Sequence, residues 1–212
     1  MNAIEIKDLC KSYDEFAIDR LSLTVPQGCI VGLIGENGAG KSTTINLILD
    51  TIHKDSGSIT LLGNDNTQNT SSLKEDIGVV PDEPGFPECL TAAHVNSIMK
   101  YTFTNWDETA FNNYISMLKI PAGKPFKDFS RGMKMKLSIA VAMSHNAKLL
   151  ILDEPTGGLD PVVRDEVIDM FNEFTRDETH SVLISSHIVS DLEKICDYIA
   201  FIHKGRLLLF EE

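Results

Sequence analysis

Alternating, β-branched-rich segments open the chain, and residues 3–9, 16–25 and 28–34 read as short strands joined by turns such as Pro26-Gln27-Gly28. A helical stretch follows at 42–49, with further strands at 58–62 and 77–80 and a polar run at 63–72 that reads as a loop. The middle differs. Between residues 91 and 143 there are three helical patterns and no good strand. In one of them Phe111, Tyr114, Ile115 and Leu118 recur at i, i+3, i+4 and i+7, which is one face of a helix. Pro121-Ala122-Gly123 and Pro125 separate the pieces. Alternation then returns, with strands at 148–152, 181–185, 198–202 and 206–210 and helices at 161–174 and 188–195. Strands separated by helices predict a mostly parallel sheet, and the helical middle predicts a second lobe inserted into it.

The 212 residues, 42% hydrophobic and 24% charged, are enough for one globular domain with a sizeable core. A formal net charge of -12 repels a phosphate backbone and argues against nucleic-acid binding. Cys10, Cys29, Cys89 and Cys196 are far apart with no C-x-x-C pair, so they suggest small buried hydrophobes, not a disulfide frame or zinc site. No leader pattern opens the chain, and no apolar stretch approaches the ~20 residues needed to span a bilayer. A cytosolic protein is expected; any membrane work requires another subunit.

Two local patterns carry chemistry. Gly35-Glu36-Asn37-Gly38-Ala39-Gly40-Lys41-Ser42 fits G-x-x-x-x-G-K-[ST] between an apolar strand and a helix, with Thr43 continuing that helix. Its glycines let successive backbone N–H groups turn toward phosphate oxygens, and the helix adds the positive end of its dipole. In such a loop Lys41 reaches the β- and γ-phosphates of ATP and Ser42 ligates Mg²⁺. The second pattern is an apolar strand ending in Asp153-Glu154. After a phosphate loop, the first carboxylate suits Mg²⁺ and the second suits the general base toward water. Asp160, before Pro161, is explained by helix capping alone. His187 follows a strand end, where a polar side chain reaches the ligand crevice or serves structure.

Taken in order, the phosphate loop, Phe129-Ser130-Arg131-Gly132-Met133, Ile151-Leu152-Asp153-Glu154-Pro155, Thr156-Gly157-Gly158-Leu159-Asp160-Pro161 and Ser185-Ser186-His187 closely resemble the ATP-binding subunit of ABC transporters. The resemblance spans nearly the whole chain. It implies an α/β fold: a P-loop NTPase core with a mostly parallel sheet, N-terminal antiparallel β strands and an inserted helical lobe. One domain over 1–212 is expected, with a core lobe at about 1–85 and 145–212 and a helical lobe at about 86–144. The likeness implies adenine stacking by Tyr13, although a core aromatic is the equal alternative from the residues alone. It implies a γ-phosphate contact for His187, a subunit contact for Asp160, and a helix opened by Ser130, Arg131 and Gly132 that closes over the ATP of a second, head-to-tail copy or homologue.

Two departures stand out. Arg131 and Met133 replace a glycine and the glutamine of the family's L-S-G-G-Q signature, and Asp82, in Val79-Val80-Pro81-Asp82-Glu83-Pro84, stands where a glutamine usually links Mg²⁺ to the membrane subunit. Arg131 either adds a cation near the phosphate or points outward, and Asp82 is expected to serve the metal directly or through water. The F-S-R-G-M-K form resembles separate ATPases of bacterial exporters, implying solute export through a distinct membrane subunit, at the inner face of the cell membrane. The rival expectation is a soluble ABC ATPase of cofactor assembly or another cytosolic complex. Many members continue past the position of Glu212, so a truncated or minimal chain is expected.

Overall fold

Strands and helices alternate through the computed structural model, which describes residues 1–68 and 71–212. Strands β1 (Asn2–Ser12) and β2 (Ala17–Pro26) pair antiparallel, with Glu5 opposite Thr24. They join β4 (Ser56–Leu61) and the two-residue β5 (Asn64–Asp65) in a sheet of order β2-β1-β4-β5 among the described residues. The second sheet is built from β3 (Ile30–Ile34), β6 (Ile77–Val80), β7 (Leu149–Asp153), β8 (Ser181–Ser186), β9 (Tyr198–His203) and β10 (Arg206–Glu211). Its order is β10-β9-β3-β8-β7-β6, parallel from β9 to β6, with β10 antiparallel at one edge.

The central strands are buried on both faces, which is why they read as continuous apolar runs. In β7, Leu150 and Leu152 enter one core while Leu149 and Ile151 enter the other; in β8, Val182 and Ile184 oppose Leu183 in the same way. The two-residue side-chain period alone divides each strand between two cores. One core receives α1 (Lys41–Ile48) and the antiparallel sheet. The other receives α3 (Ala92–Thr102), α4 (Glu108–Met117), α5 (Arg131–Ala142) and α6 (Pro161–Phe174). On α4 and its end, Phe111, Ile115 and Leu118 of the expected face are buried and Tyr114 is half-buried. The expected Asp160 cap forms, accepting from the Val163 N–H at 3.1 Å with Pro161 in the first turn, and the structure adds a cap at Ser130, which accepts from the Met133 N–H at 3.2 Å.

The structure departs from the reading in three places. The polar run 63–72 contains β5, a 3₁₀ turn Asn66–Gln68 and the start of α2 (Ser71–Glu75), with residues 69–70 outside the described residues. These elements are too short to show a period. The helix expected at 188–195 is regular only at α7 (Val189–Leu192). Finally, the cysteines are free but not uniformly buried: Cys89 is exposed, and Cys10, Cys29 and Cys196 are half-buried. Burial pushes the Cys196 thiol up to about 12, with the Asp197 charge adding to it, so Cys196 acts as a protonated packing group over Gly32.

The β9–β10 hairpin turns on Lys204 and Gly205, both at positive φ (47° and 74°), as a two-residue turn between right-twisted strands requires. A Cβ on Gly205 would lie 1.7 Å from the Ala17 carbonyl oxygen. The Gly205 N–H donates to Ala39 O at 2.8 Å, so this turn also props the loop before α1. Gly205→Ala is expected to lower stability by at least about 2 kcal/mol, read as a lower urea midpoint at unchanged m.

Candidate active site

Three strand ends meet along one edge of the parallel sheet. Ile34 of β3 pairs with Ser186 of β8, and Asp153 of β7 pairs with Ser185. The residues that follow, Gly35, Glu154 and His187, therefore emerge side by side, where open parallel sheets bind ligands.

The loop from Gly35 to Gly40 leaves Glu36, Asn37 and Gly38 exposed and buries Gly35, Ala39 and Gly40. Gly38 has φ 81°, and a Cβ there would meet nothing within 4 Å, so the bend faces open space. Gly40, at φ 112°, packs against Phe16 and Ile18 and opens α1. Lys41 is only 6% exposed, and its Nζ donates to Gly35 O at 2.8 Å and Glu36 O at 3.3 Å. The ammonium thus lies folded into its own loop. Ser42 is exposed and Thr43 half-buried.

At the end of β7, Ser185 donates its hydroxyl to Asp153 Oδ1 and accepts the Glu154 N–H at 3.1 Å. One serine therefore orients both acidic residues. Glu154 adopts φ 50°, a left-handed conformation that a non-glycine residue rarely takes. That bend turns its carboxylate back over the loop: Oε1 lies 3.6 Å from Lys41 Nζ, and Oε2 lies 2.7 Å from His187 Nδ1 and accepts the His187 N–H at 3.3 Å. With Lys41 6% and Glu154 12% exposed, the pair is shielded on most sides while His187 is half open to solvent.

The groups present fit magnesium and a polyphosphate. An exposed Ser42 hydroxyl and the buried Asp153 carboxylate are hard oxygen donors, and a glycine bend beside a buried lysine suits phosphate oxygens. Tyr13 is 47% exposed, stacked on Phe16 at 6.5 Å between centroids, with Lys11 Nζ 5.7 Å from its ring. Its ring is a surface platform, which removes the buried-core alternative.

The two departures meet. Arg131 Nη2 donates to Asp82 Oδ1 at 2.9 Å, so the carboxylate expected on the metal has a guanidinium partner in the same chain. Ser130 and Gly132 flank that arginine at the start of α5, and Gly132 faces the Gly158 carbonyl. Among the described residues no three His, Cys, Asp or Glu side chains cluster as a metal site. A cavity of about 660 Å³ between α4, α5 and α6, lined by Met117, Met143, Met170 and Phe174, shares no residue with this edge.

Sequence reasoning passed over Asp191. It is 3% exposed, accepts from Thr156 Oγ1 at 2.8 Å and lies 3.7 Å from Arg164 Nε, tying α7 to the turn before Asp160. Asp191→Ala leaves Arg164 and Thr156 without this partner. It is expected to cost about 3 kcal/mol, visible as a lower melting temperature. Ser185 was readable only as a motif letter; its one signal was a polar residue ending a buried strand.

The sequence profile of the ABC transporter family matches residues 18–157. The bacitracin transport ATP-binding protein BcrA of Bacillus licheniformis is 36% identical over 208 residues, covering 97% of this chain and 68% of BcrA. The lantibiotic transport ATP-binding protein SrtF of Streptococcus pyogenes is 36% identical over 214 residues, covering 99% of this chain and 90% of SrtF. A solved ATP binding subunit of an ABC transporter superposes with a TM-score of 0.86 at 28% identity, over 98% of this chain and 89% of that one. A dimeric ATP-binding cassette in a post-hydrolysis state with ADP and Pi reaches 0.87 at 19% identity, over 99% of this chain and 98% of that one, which is a likeness of fold. With the profile over most of the chain and SrtF matched along nearly all of its length, this protein belongs to the ABC transporter family, among its ATP-binding proteins.

Proposed function

We propose that this chain binds Mg·ATP and hydrolyses it to drive solute export through a separate membrane subunit. The observation that carries the chemistry is the Lys41–Glu154–His187 constellation at three adjacent strand ends, with Lys41 buried, Glu154 largely shielded and His187 open to solvent. ATP lies along residues 35–43, with its adenine on Tyr13 and its terminal phosphates on the loop amides and Lys41. Ser42 and Asp153 hold Mg²⁺, which when bound neutralises phosphate charge. Glu154 takes a proton from water as the water oxygen bonds to the γ-phosphorus; the bond to the β-phosphate oxygen breaks, and ADP and phosphate leave. His187 holds the Glu154 carboxylate in place from one side and meets the γ-phosphate from the other.

A second copy or homologue pairs head to tail, presenting Ser130 and Gly132 at the start of α5 to the partner's nucleotide and Asp160 to the subunit boundary. Residues 86–144 act as a helical lobe against a core of 1–85 and 145–212, and that lobe transmits closure to the membrane subunit. Among the described residues no helix is long and apolar enough to cross a membrane. The chain works in the cytoplasm at the inner face of the membrane. The names of BcrA and SrtF, bacitracin and lantibiotic transport, direct the export reading toward peptide antibiotics.

Affinity isolation of the native protein tests the coupling. Recovery from the membrane fraction with a multi-spanning partner is the expected result. Recovery in a soluble complex without one would replace export by a cytosolic role.

A further inference from the structure

We propose that the Asp82–Arg131 ion pair is a positioning contact that ties the loop after β6 to the turn carrying Glu154. The inference rests on the ATPase reading above. Arg131 stands at the start of α5 with its guanidinium on Asp82 at 2.9 Å. Its stem lies over the turn after β7: a Cβ on Gly158 would be 3.2 Å from Arg131 Cδ and 3.4 Å from Cγ, and one on Gly157 would be 3.6 Å from Nη2. Gly158 is at φ +76°, so its bare backbone is what lets the arginine lie flat there. The Gly157 N–H donates in turn to the Glu154 carbonyl at 3.0 Å, and Glu154 contacts Lys41 and His187. One side chain therefore bridges Asp82 to the segment that aims the base.

The chemistry of the two residues suits a movable link. Arginine is always charged and presents a rigid planar fork on a long apolar stem, which covers the glycines while the head holds a carboxylate. At 62% and 43% side-chain exposure the pair is solvated, so it adds little to folding and breaks readily when the loop bearing Asp82 moves. Loss of Asp82 then frees the arginine, and the turn bearing Glu154 loosens. Asp82 and Arg131 act through Glu154, not on the reacting atoms.

Arg131→Ala, Asp82→Asn, their double variant and the charge-reversed pair (Asp82→Arg with Arg131→Asp) are compared with the wild type. Each single variant should lower kcat about tenfold with KM for ATP unchanged. The double variant should be no worse than either single, and reversal should recover much of the loss. Additive losses, or a change confined to KM, would overturn the coupling. Amide hydrogen exchange over residues 154–159 gives a readout independent of catalysis: faster exchange in both single variants supports the link, and unchanged exchange in Asp82→Asn contradicts it. A wild type that releases no phosphate would sink the ATPase reading, while the exchange data would still decide the contact.

Discussion

Glu154→Gln is expected to bind ATP with little change and to release phosphate about 10²- to 10⁴-fold more slowly, the range a positioned general base supplies. The substitution keeps the size of a side chain that is only 12% exposed, and the amide oxygen still accepts hydrogen bonds. What disappears is the ability to take a proton. With turnover stopped, the ATP-bound state accumulates, so the variant should double its molar mass when Mg·ATP is added and remain a monomer without it. Light scattering coupled to size exclusion reads this directly. Hydrolysis at the wild-type rate would remove Glu154 from the role of base. A variant that binds ATP but stays monomeric would leave the phosphate loop intact and refute autonomous head-to-tail pairing.

Lys41→Ala is expected to fail earlier, at binding. Hydrogen bonds to charged groups are worth about 1.5–3 kcal/mol each, which corresponds to roughly 10- to 150-fold in ATP affinity. The loss acts twice. The ammonium now folded onto Gly35 and Glu36 is the cation available to phosphate, and its removal also leaves Glu154 with one cationic neighbour fewer. Calorimetric titration with ATP under magnesium checks it. Affinity within twofold of wild type would mean that the loop holds the nucleotide without this side chain.

These two residues also mark the limit of what the sequence makes legible. The phosphate loop is written in consecutive residues between an apolar strand and a helix, so local rules reach it. So are the Asp160 cap and the buried strand leading to Asp153, since hydrophobic period and capping are short-range properties. The meeting of Lys41 with Glu154 is not local; it depends on parallel pairing of β3, β8 and β7, and on a left-handed bend at Glu154 that no residue type announces. The Asp82–Arg131 pair, 49 residues apart, was visible only as two separate oddities. Asp191 and Thr156 meet across 35 residues inside the core, where a carboxylate in a short helix reads as surface. The two-residue β5 and five-residue α2 escaped because each is stabilised by its neighbours, not by a pattern of its own.

The central claim is that this edge of the sheet binds and cleaves ATP. Phosphate release from ATP by the purified wild-type chain, measured with magnesium and again with a chelator in excess, tests it most directly. Release that saturates with ATP, stops with the chelator and is lost in Glu154→Gln is the predicted result. No release in any condition, from a chain shown to bind ATP, would contradict hydrolysis by this constellation.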